Sequence, residues 1–501
     1  MNDPTHTIAQ AAGFIETHAQ RYIALADAIW NLAELRYQET RSAQLHIDAL
    51  EAAGFRITRG VAGIPTAFVA EFSHQENRGP NDRAPVIAIL GEYDALSGMS
   101  QEAGVLQCRP AGDMGNGNGH GCGHHLLGTA AHLAAVAVAQ QLCRAELPGT
   151  VRFYGCPAEE GGSGKTFMAR AGLFDDVDAA LCWHPATHTG IFAAQTLANI
   201  QAYFRFHGKA SHAAASPHLG RSALDAVELM NVGVNYLREH MLPEARVHYA
   251  VTDTGGLSPN VVQASAEVLY LVRAPRNDQA KDLYARVCDV ARGAALMTGC
   301  RVETVFDKAC SNLLQNTVLN RVMDRHLQAF GAPAWSDEET AFARAVQQET
   351  LNAEDIESAT RTLAHAWREP KPLFDRVDPY EPGNGKPLYG STDVADVSWV
   401  TPTAQCFVSC FAFGTPLHSW QLVAQGKTSL AHKGMLLAAK TLAASALDLF
   451  AAPGRIQEAR AELLERRGGK PYVCPIPADV PLPFLRAAAG PAAATGSNHV
   501  A

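Results

Sequence analysis

The apolar residues near the start of the chain recur at helical spacing. Tyr22, Leu25 and Ile29 are three or four residues apart, and a second stretch of the same kind spans residues 40–53. Apolar residues at this spacing share one face of a helix. The pattern therefore predicts helical structure over most of residues 8–53.

After residue 55 the pattern changes to that of strands. Residues 55–72 alternate between apolar and polar, whereas residues 85–90 form a continuous apolar run, which is typical of a parallel strand buried on both faces. Similar runs follow at 150–156, 179–183 and 406–413. An apolar helical stretch at 126–142 separates the run at 85–90 from the run at 150–156. This alternation of strand and helix predicts an α/β fold.

A different order of strand and helix patterns interrupts this one in the middle of the chain. Between about residues 197 and 307, strand patterns enclose two helical patterns, which predicts a compact α+β unit of small-domain size. From about residue 313 the chain resumes the first domain. We therefore expect three parts: a discontinuous catalytic domain of residues 1–195 and 311–450, an inserted domain of residues 196–310, and a C-terminal helix with a Pro-rich tail over residues 451–501.

Composition narrows the functional classes. The 501 residues carry a net charge of -9, which argues against a nucleic-acid-binding protein. Eleven cysteines are scattered mostly through apolar runs, as expected of reduced thiols. The first twenty residues lack a signal-peptide pattern, and no apolar run reaches the roughly 18–20 residues that a membrane span needs. We expect a cytoplasmic protein with no membrane or nucleic-acid partner.

The first candidate site is a glycine-rich loop, residues 119–125, just before the apolar helix. Cys122 and His124 lie one residue apart in it, so a thiolate and an imidazole can reach one metal ion. A helix N-terminus also favours the thiolate form of a cysteine. The alternative is a flexible loop that happens to contain histidines.

Further candidate side chains directly follow predicted strands. They are Glu92, Asp94, Glu159, Glu160 and His184. In an open α/β sheet, such positions face the crevice where ligands bind. Adjacent carboxylates suit hydrolysis, because one can ligate a metal ion while its neighbour takes a proton from water and carries it to the leaving nitrogen. The alternative for the Glu-Glu pair is an exposed acidic turn that begins a helix.

The inserted unit has polar candidates of its own. His212 lies among small residues, and Asn260 and Arg273 occur later in the same unit. A lone histidine is more often a structural residue. The small neighbours also suit close approach of a substrate or a second subunit, and spacing leaves both alternatives open.

Taken together, these motifs resemble those of the zinc aminoacylase/carboxypeptidase family of metallo-amidohydrolases. The shared motifs occur in family order at residues 119–124, 157–162, 183–185, 208–214, 390–394 and 418–419. The resemblance spans about residues 15–450. It implies a mixed-sheet metallopeptidase catalytic domain with an inserted α+β dimerisation (lid) domain.

The resemblance also implies a metal centre with five ligands. They are Cys122, His124, Glu160, His184 and His418. Relatives bind two divalent metal ions, zinc or manganese, and a thiolate ligand favours zinc because both are soft.

Roles for the remaining candidates follow from the same resemblance. It implies that Glu159 is the general base and that His212 polarises the scissile carbonyl. In relatives this histidine comes from the neighbouring subunit, so we expect a homodimer, with a homologous A subunit as the alternative partner. Asn260 and Arg273 are expected to bind the substrate's α-carboxylate, for which the arginine fork is suited.

The activity implied is hydrolysis of an amide between an acyl or aroyl group and an amino acid. The expected substrate is p-aminobenzoyl-glutamate, which would place the chain in folate catabolism. Other N-acyl amino acids or dipeptides are the first alternative, and a non-catalytic partner chain in a hetero-oligomer is the second.

Three features depart from the family pattern. Glu92 stands where many relatives have Asp. His125 stands where many relatives have Asp or Asn, and it is expected to orient His124. The connection at residues 331–387 is longer than in the simplest relatives, and it is expected to reshape the substrate pocket.

Overall fold

The computed structural model describes residues 4–74, 83–112, 116–365, 367 and 370–484. The helices in these ranges are α1 Pro4–Leu32, α2 Thr40–Ala52, α3 His124–Arg144, α4 Glu159–Gly162, α5 Gly164–Arg170, α6 Ala223–Leu237, α7 Asn277–Thr298, α8 Thr317–Phe330, α9 Asp337–Thr350, α10 Ala353–Thr362, α11 Val394–Val400, α12 Trp420–Gln425, α13 Ser429–Ala451 and α14 Pro453–Arg466. The strands are β1 Arg56–Arg59, β2 Phe68–His74, β3 Val86–Glu92, β4 Leu96–Ser97, β5 Asn118–Gly119, β6 Gly149–Cys156, β7 Ala179–Ala186, β8 Gly190–Ile191, β9 Ala198–His207, β10 Arg246–Asp253, β11 Ser265–Ala274, β12 Arg301–Cys310 and β13 Thr403–Ser409.

The chain forms two compact units. The first contains Met1–Leu197 and Asn312–Cys474, and the second contains Ala198–Ser311 and Pro475–Ala501. Helix α14 packs against α8 and α13 in the first unit. The end of the tail predicted from the sequence, beyond residue 484, lies outside the described residues.

A seven-stranded mixed sheet forms the centre of the first unit. Its strand order is β1-β2-β6-β3-β7-β13-β8. The four inner strands β6, β3, β7 and β13 run parallel, and the outer strands pair antiparallel. Strand β3 is buried along its whole length, as its continuous apolar sequence predicts. The predicted α/β fold with a mixed sheet is confirmed.

Helices α1, α3 and α13 pack together, and α3 lies against the inner strands. Helix α3 is buried on nearly every side, as its apolar sequence requires. Gly128 allows it to approach β3 closely, because a Cβ atom at this position would lie 2.4 Å from the carbonyl oxygen of Glu92. This contact fixes the start of α3 beside the carboxyl end of β3.

The prediction about membrane-spanning length was too strict. Helices α3 and α13 are long and apolar enough to cross a membrane, although polar residues interrupt them in the sequence. Most of each helix is buried inside the first unit, as is typical of core helices.

The second unit is built on a four-stranded antiparallel sheet with strand order β10-β11-β9-β12. Helices α6 and α7 pack against each other and against strands β9 and β11. Strand β11 alternates buried and partly exposed residues, the pattern of a sheet with one covered face. This is the α+β arrangement that the sequence pattern predicts.

The connection at residues 331–387 contains two short helices, α9 and α10. The break occurs at Asn352, whose side chain accepts a hydrogen bond from the backbone N–H of Asp355 in a capping box. A capping side chain satisfies the free N–H groups of a new helix, so the chain restarts rather than continues. Helix α10 then ends at Thr362.

Candidate metal centre

The metal-ligand candidates of the first unit collect at the carboxyl ends of the parallel strands. Glu92 ends β3, His184 lies near the end of β7, and Glu159 and Glu160 follow β6. His418 comes after β13. Because these strands are parallel, their carboxyl ends meet at one edge of the sheet.

Two imidazoles are oriented by hydrogen bonds from their Nδ1 atoms. His124 donates to Oδ1 of Asp94 over 2.9 Å, and His184 donates to the carbonyl oxygen of Pro185 over 2.7 Å. A proton on Nδ1 leaves a lone pair on Nε2, the arrangement that metal-binding histidines have. Nε2 of His184 lies 3.4 Å from Sγ of Cys122.

Three groups of side chains place one donor atom each within 4.8 Å of one another. They are Cys122–His124–His184, Cys122–Glu160–His418 and Glu92–His124–Glu159. Nε2 of His124 and Oε1 of Glu160 are buried and make no well-aligned hydrogen bond in the described part of the chain, and their nearest polar neighbours are other members of these donor groups. Sulfur, nitrogen and carboxylate donors with unused lone pairs fit a divalent metal ion such as zinc.

Asp94 supports two of these donors at once. Its Oδ1 atom orients His124, and its Oδ2 atom accepts a 2.8 Å hydrogen bond from the backbone N–H of Glu160. Nε2 of His418 lies 3.1 Å from Oε1 of Glu160. One buried carboxylate therefore fixes the spacing between the donors of α3 and those of α4.

Glu159 is the carboxylate that this framework leaves unused. It makes no hydrogen bond within the described residues, and it lies in the group that contains Glu92 and His124. Burial, followed by the negative charges of Glu92 and Glu160, raises the pKa of Glu159 well above its ordinary value. A carboxylate that holds a proton this firmly is suited to general acid–base work.

A buried charge network lies directly behind the centre. The Nζ atom of Lys165, which has no exposed side-chain surface, lies 2.7 Å from Glu92 and 2.6 Å from Asp393. The other carboxylate oxygen of Glu92 lies 3.3 Å from Nε2 of His124. The ammonium therefore holds Glu92 in place beside the metal-ligand candidates.

The loop between α1 and α2 holds the turn that carries the Glu-Glu pair. Glu39 is fully buried and accepts hydrogen bonds from the backbone N–H of Ala158 over 2.9 Å and from the hydroxyl of Thr66 over 3.0 Å. The hydroxyl of Tyr37 donates to the carbonyl oxygen of Gly162 over 2.6 Å. Ala158 has φ +61°, a conformation that costs energy in a residue with a Cβ atom, so these contacts stabilise a strained turn.

Burial and the charge of Glu160 raise the pKa of the Cys122 thiol. One sequence expectation about this loop region was wrong. His125 does not orient His124, because its Nε2 atom points to the carbonyl oxygen of Gly426 over 2.9 Å. Asp94 has the orienting role instead.

The remaining candidates lie in the second unit. Nδ1 of His212 accepts hydrogen bonds from the backbone N–H groups of Ala214 and Ala215 over 3.2 and 3.1 Å. Its proton is therefore on Nε2, which makes the exposed ring a hydrogen-bond donor. The backbone pairs His212 with the segment of Asn260, whereas Arg273 lies in β11, opposite Asn199 of β9.

The sequence patterns do not identify Lys165, Asp393 and Glu39 as parts of the centre. Asp393 lies in a motif that carried the family resemblance, so a signal existed for it. Lys165 is the single basic residue in the otherwise small and apolar start of α5, which is a weak sign of a buried partner. Nothing in the local pattern distinguishes Glu39 from a surface carboxylate.

The model of "Peptidase family M20/M25/M40" matches residues 88–478. The chain is 54% identical over 476 residues to the B subunit of p-aminobenzoyl-glutamate hydrolase of Escherichia coli, which covers 93% of this chain and 96% of that protein. It is 30% identical over 462 residues to Xaa-Arg dipeptidase of Mus musculus, which covers 90% of this chain and 91% of that protein.

A solved structure shows the same fold at low identity. It is a dinuclear metal binding peptidase from the M20 family of Bacillus subtilis, with a TM-score of 0.54 and 18% sequence identity. The match covers 87% of this chain and 99% of that chain. The predicted family resemblance is thereby confirmed: the chain is a hydrolase that belongs to Peptidase family M20/M25/M40.

Proposed function

We propose that this protein hydrolyses p-aminobenzoyl-glutamate to p-aminobenzoate and glutamate in a metal-dependent reaction. The observation that carries the chemistry is the convergence of sulfur, nitrogen and carboxylate donors beside the unused carboxylate of Glu159. The identity of 54% to a chain of a p-aminobenzoyl-glutamate hydrolase, over almost the full length of both chains, supports the choice of substrate.

The proposed ligands are Cys122, His124, Glu160, His184 and His418, and we propose that they hold two divalent ions, zinc or manganese. Cys122 belongs to two of the three donor groups, which supports two neighbouring sites that share its sulfur. Bound divalent ions polarise an amide carbonyl and make water acidic enough to act as a nucleophile at neutral pH. Asp94 and Pro185 fix the two imidazole rings for this role.

Glu159 is the proposed general base and acid. Its carboxylate takes a proton from the attacking water and delivers it to the amide nitrogen, so that the C–N bond breaks and glutamate leaves as a neutral amine. The raised pKa of Glu159 supports the second of these steps, because the protonated form is the one that donates.

The second unit supplies the proposed contacts to the substrate's carbonyl and carboxylate. The exposed Nε2–H of His212 donates a hydrogen bond to the developing oxyanion, and a second copy of the chain provides it. Asn260 and Arg273 bind the α-carboxylate of the glutamate. This arrangement makes a dimer the catalytic unit.

Exposed apolar side chains of the second unit support such a dimer. Leu229, Val232 and Tyr236 are exposed at helical spacing on α6, and Tyr249 and Val251 are half-exposed on the edge strand β10. Exposed patches of this kind mark protein–protein contacts. We expect Tyr236→Glu to convert a dimer to monomers in analytical ultracentrifugation, whereas an unchanged sedimentation coefficient would exclude this surface.

Two alternatives remain as second candidates. Dipeptides are favoured by the 30% identity to Xaa-Arg dipeptidase over 90% of the chain. A role as one chain of a mixed oligomer is favoured because the 54% identical relative is the B subunit of its hydrolase. A homologous A subunit is then the partner.

A cytoplasmic location is also proposed, since all eleven cysteines are free thiols, as in reducing compartments.

The deciding experiment is glutamate release from p-aminobenzoyl-glutamate by the purified chain alone, with zinc or manganese added. Turnover would establish the reaction and the self-sufficiency of the chain. If this substrate is inert but an Xaa-Arg dipeptide or another N-acyl amino acid is cleaved, the substrate assignment is wrong and the hydrolase assignment stands. If the whole panel is inert until an A subunit is added, the mixed oligomer is the active form.

A further inference from the structure

We propose that the acyl group of the substrate binds in a pocket of the first unit, beside the metal centre, that residues 355–364 and 378–388 help to form, and that this pocket selects planar aromatic acyl groups. This inference rests on the proposed hydrolase function and adds the residues that determine acyl specificity.

The pocket adjoins the metal-ligand candidates through their chain neighbours. It has a volume of about 550 Å³, within the ~300–1,000 Å³ range of small-molecule sites. Its lining includes Pro185, which follows His184, and Leu417, which precedes His418. A substrate whose amide lies at the metal centre can therefore extend its acyl group into this space.

One wall of the pocket is the segment that departs from the family pattern. Its lining includes Ser358 and Thr362 of α10 and the loop residues Lys386 and Leu388. The connection at residues 331–387 thus contributes to the lining of this pocket.

Backbone contacts fix this wall to the strand side of the pocket. The N–H of Asp378 donates to the carbonyl oxygen of Thr189 over 2.8 Å, and the N–H of Leu388 donates to that of Gln195 over 3.0 Å. At Gly385, a Cβ atom would lie 1.8 Å from the carbonyl oxygen of Ala193, so only glycine permits this approach. The pocket is therefore preformed, which lowers the entropic cost of binding.

A chain of rings connects the metal centre to the pocket. The ring of Phe407 lies 6.2 Å from that of His184 and 4.9 Å from that of His188, and Phe407 and His188 both line the pocket. His188 is also 6.1 Å from the buried ring of Phe374. Rings at these distances attract a further aromatic ring by offset or edge-to-face contact.

The imidazole of His188 adds polar recognition to this aromatic surface. It is half-buried and makes no hydrogen bond to any residue in the described ranges. Burial lowers the pKa of His188 to about 4, so the ring is neutral at physiological pH and offers one donor and one acceptor. A flat ring with a polar substituent, such as a p-aminobenzoyl group, meets both requirements, whereas an acetyl group meets neither.

Two variants test the pocket from opposite sides. Ser358→Trp fills it from an exposed position of α10, and His188→Ala removes part of its aromatic floor. Glu357→Trp is the matched control, because its side chain is 65% exposed and lies outside the pocket lining. The substrates are p-aminobenzoyl-glutamate and N-acetyl-glutamate, which share the glutamate half.

We expect Ser358→Trp to lower kcat/KM for the aroyl substrate about tenfold or more, and His188→Ala to lower it about five- to tenfold. The kcat/KM of both variants for N-acetyl-glutamate should stay within about twofold of the wild-type value. The same holds for the kcat/KM of the Glu357→Trp control on both substrates. Equal losses on both substrates, or no loss on the aroyl substrate, would overturn the proposal.

Binding of p-aminobenzoate to the metal-loaded protein, measured by calorimetry, separates this inference from the proposed function. If no N-acyl glutamate is hydrolysed but p-aminobenzoate binds and Ser358→Trp weakens its binding, the pocket assignment stands and the proposed reaction is wrong. If hydrolysis occurs and neither variant weakens p-aminobenzoate binding, the pocket assignment is wrong and the reaction stands.

Discussion

The candidate metal centre and the segment around His212 position their side chains in different ways. In the first unit, several donors are held by other buried polar groups: Asp94 holds His124 and the Glu160 backbone, and Lys165 holds Glu92. In the second unit, His212 is exposed and is oriented by the backbone N–H groups two and three residues further along the chain.

This difference predicts that substitutions in the two places have different effects, one on the assembly of the site and the other on its chemistry. A buried network is satisfied only when every member is present, so loss of one member affects folding and metal binding together. A locally oriented surface histidine depends on few neighbours, so its loss affects only the reaction in which it takes part. The following substitutions test this separation.

The largest expected effect is that of Glu159→Gln on turnover. We expect kcat to fall about 10²–10⁴-fold, because glutamine cannot take or donate the proton. Metal content, measured by mass spectrometry, and the unfolding midpoint should match those of the wild type, since Glu159 makes no hydrogen bond within the described residues. Retained activity would refute its role as the base.

Lys165→Met should damage the assembly of the centre. Removal of the ammonium leaves Glu92 and Asp393 buried without their partner, which costs about 3–5 kcal/mol of unfolding free energy. Urea unfolding with Lys470→Met, an exposed control, measures this loss. A stable Lys165→Met protein with full metal content would show that the network is not needed to build the site.

His212→Ala should impair the reaction and leave the assembly of the centre intact. We expect kcat to fall about 10²–10³-fold, as for loss of an oxyanion donor, with metal content and stability unchanged. The exposed neighbour His218→Ala serves as the control.

Mixing the inactive Glu159→Gln and His212→Ala proteins sharpens this test. If His212 acts in the partner's site, each hybrid dimer has one site with both groups intact, and about a quarter of all sites regain activity after random exchange. No recovery in a verified hybrid dimer would place His212 in the same chain's site or outside the site.

The last expected effect is that of Glu39→Gln on stability, and it depends on pH. Burial, followed by the charge of Asp94, raises the pKa of Glu39 to about 8 in the folded protein, above the ordinary value of about 4.3. The folded state therefore binds this proton more tightly than the unfolded state, and the stability it contributes is lost as pH rises between these values. Relative to the variant, the wild type should lose unfolding free energy between about pH 5 and pH 8. Denaturation curves of the two proteins at both pH values check this. An equal change in unfolding free energy between about pH 5 and pH 8 in the two proteins would contradict it.

The sequence predicts the fold and the ligand types well because both depend on local patterns. The continuous apolar run of β3 predicts a buried parallel strand, and the side chains after such strands predict the edge of the sheet where donors meet. The motif around Cys122 and His124 predicts a metal centre for the same reason. In each case, neighbouring residues in the sequence carry the physical information.

The sequence predicts less about groups that act over long distances. Glu39 supports Ala158 from 119 positions earlier in the chain, and Lys165 pairs with Asp393 from 228 positions earlier. The aromatic contact between His188 and Phe407 likewise joins two distant segments. Such partnerships arise from tertiary packing, so no local periodicity reveals them.

The order of the candidate ligands along the chain has a consequence for how the protein matures. The donors extend from Cys122, before the most buried helix of the first unit, to His418, after the last strand of its sheet. Contacts between residues this far apart in sequence form late and slow the folding of a domain. Translation must therefore pass His418 before the complete centre can exist, and uptake of metal into the full ligand set becomes one of the last steps in the synthesis of an active molecule.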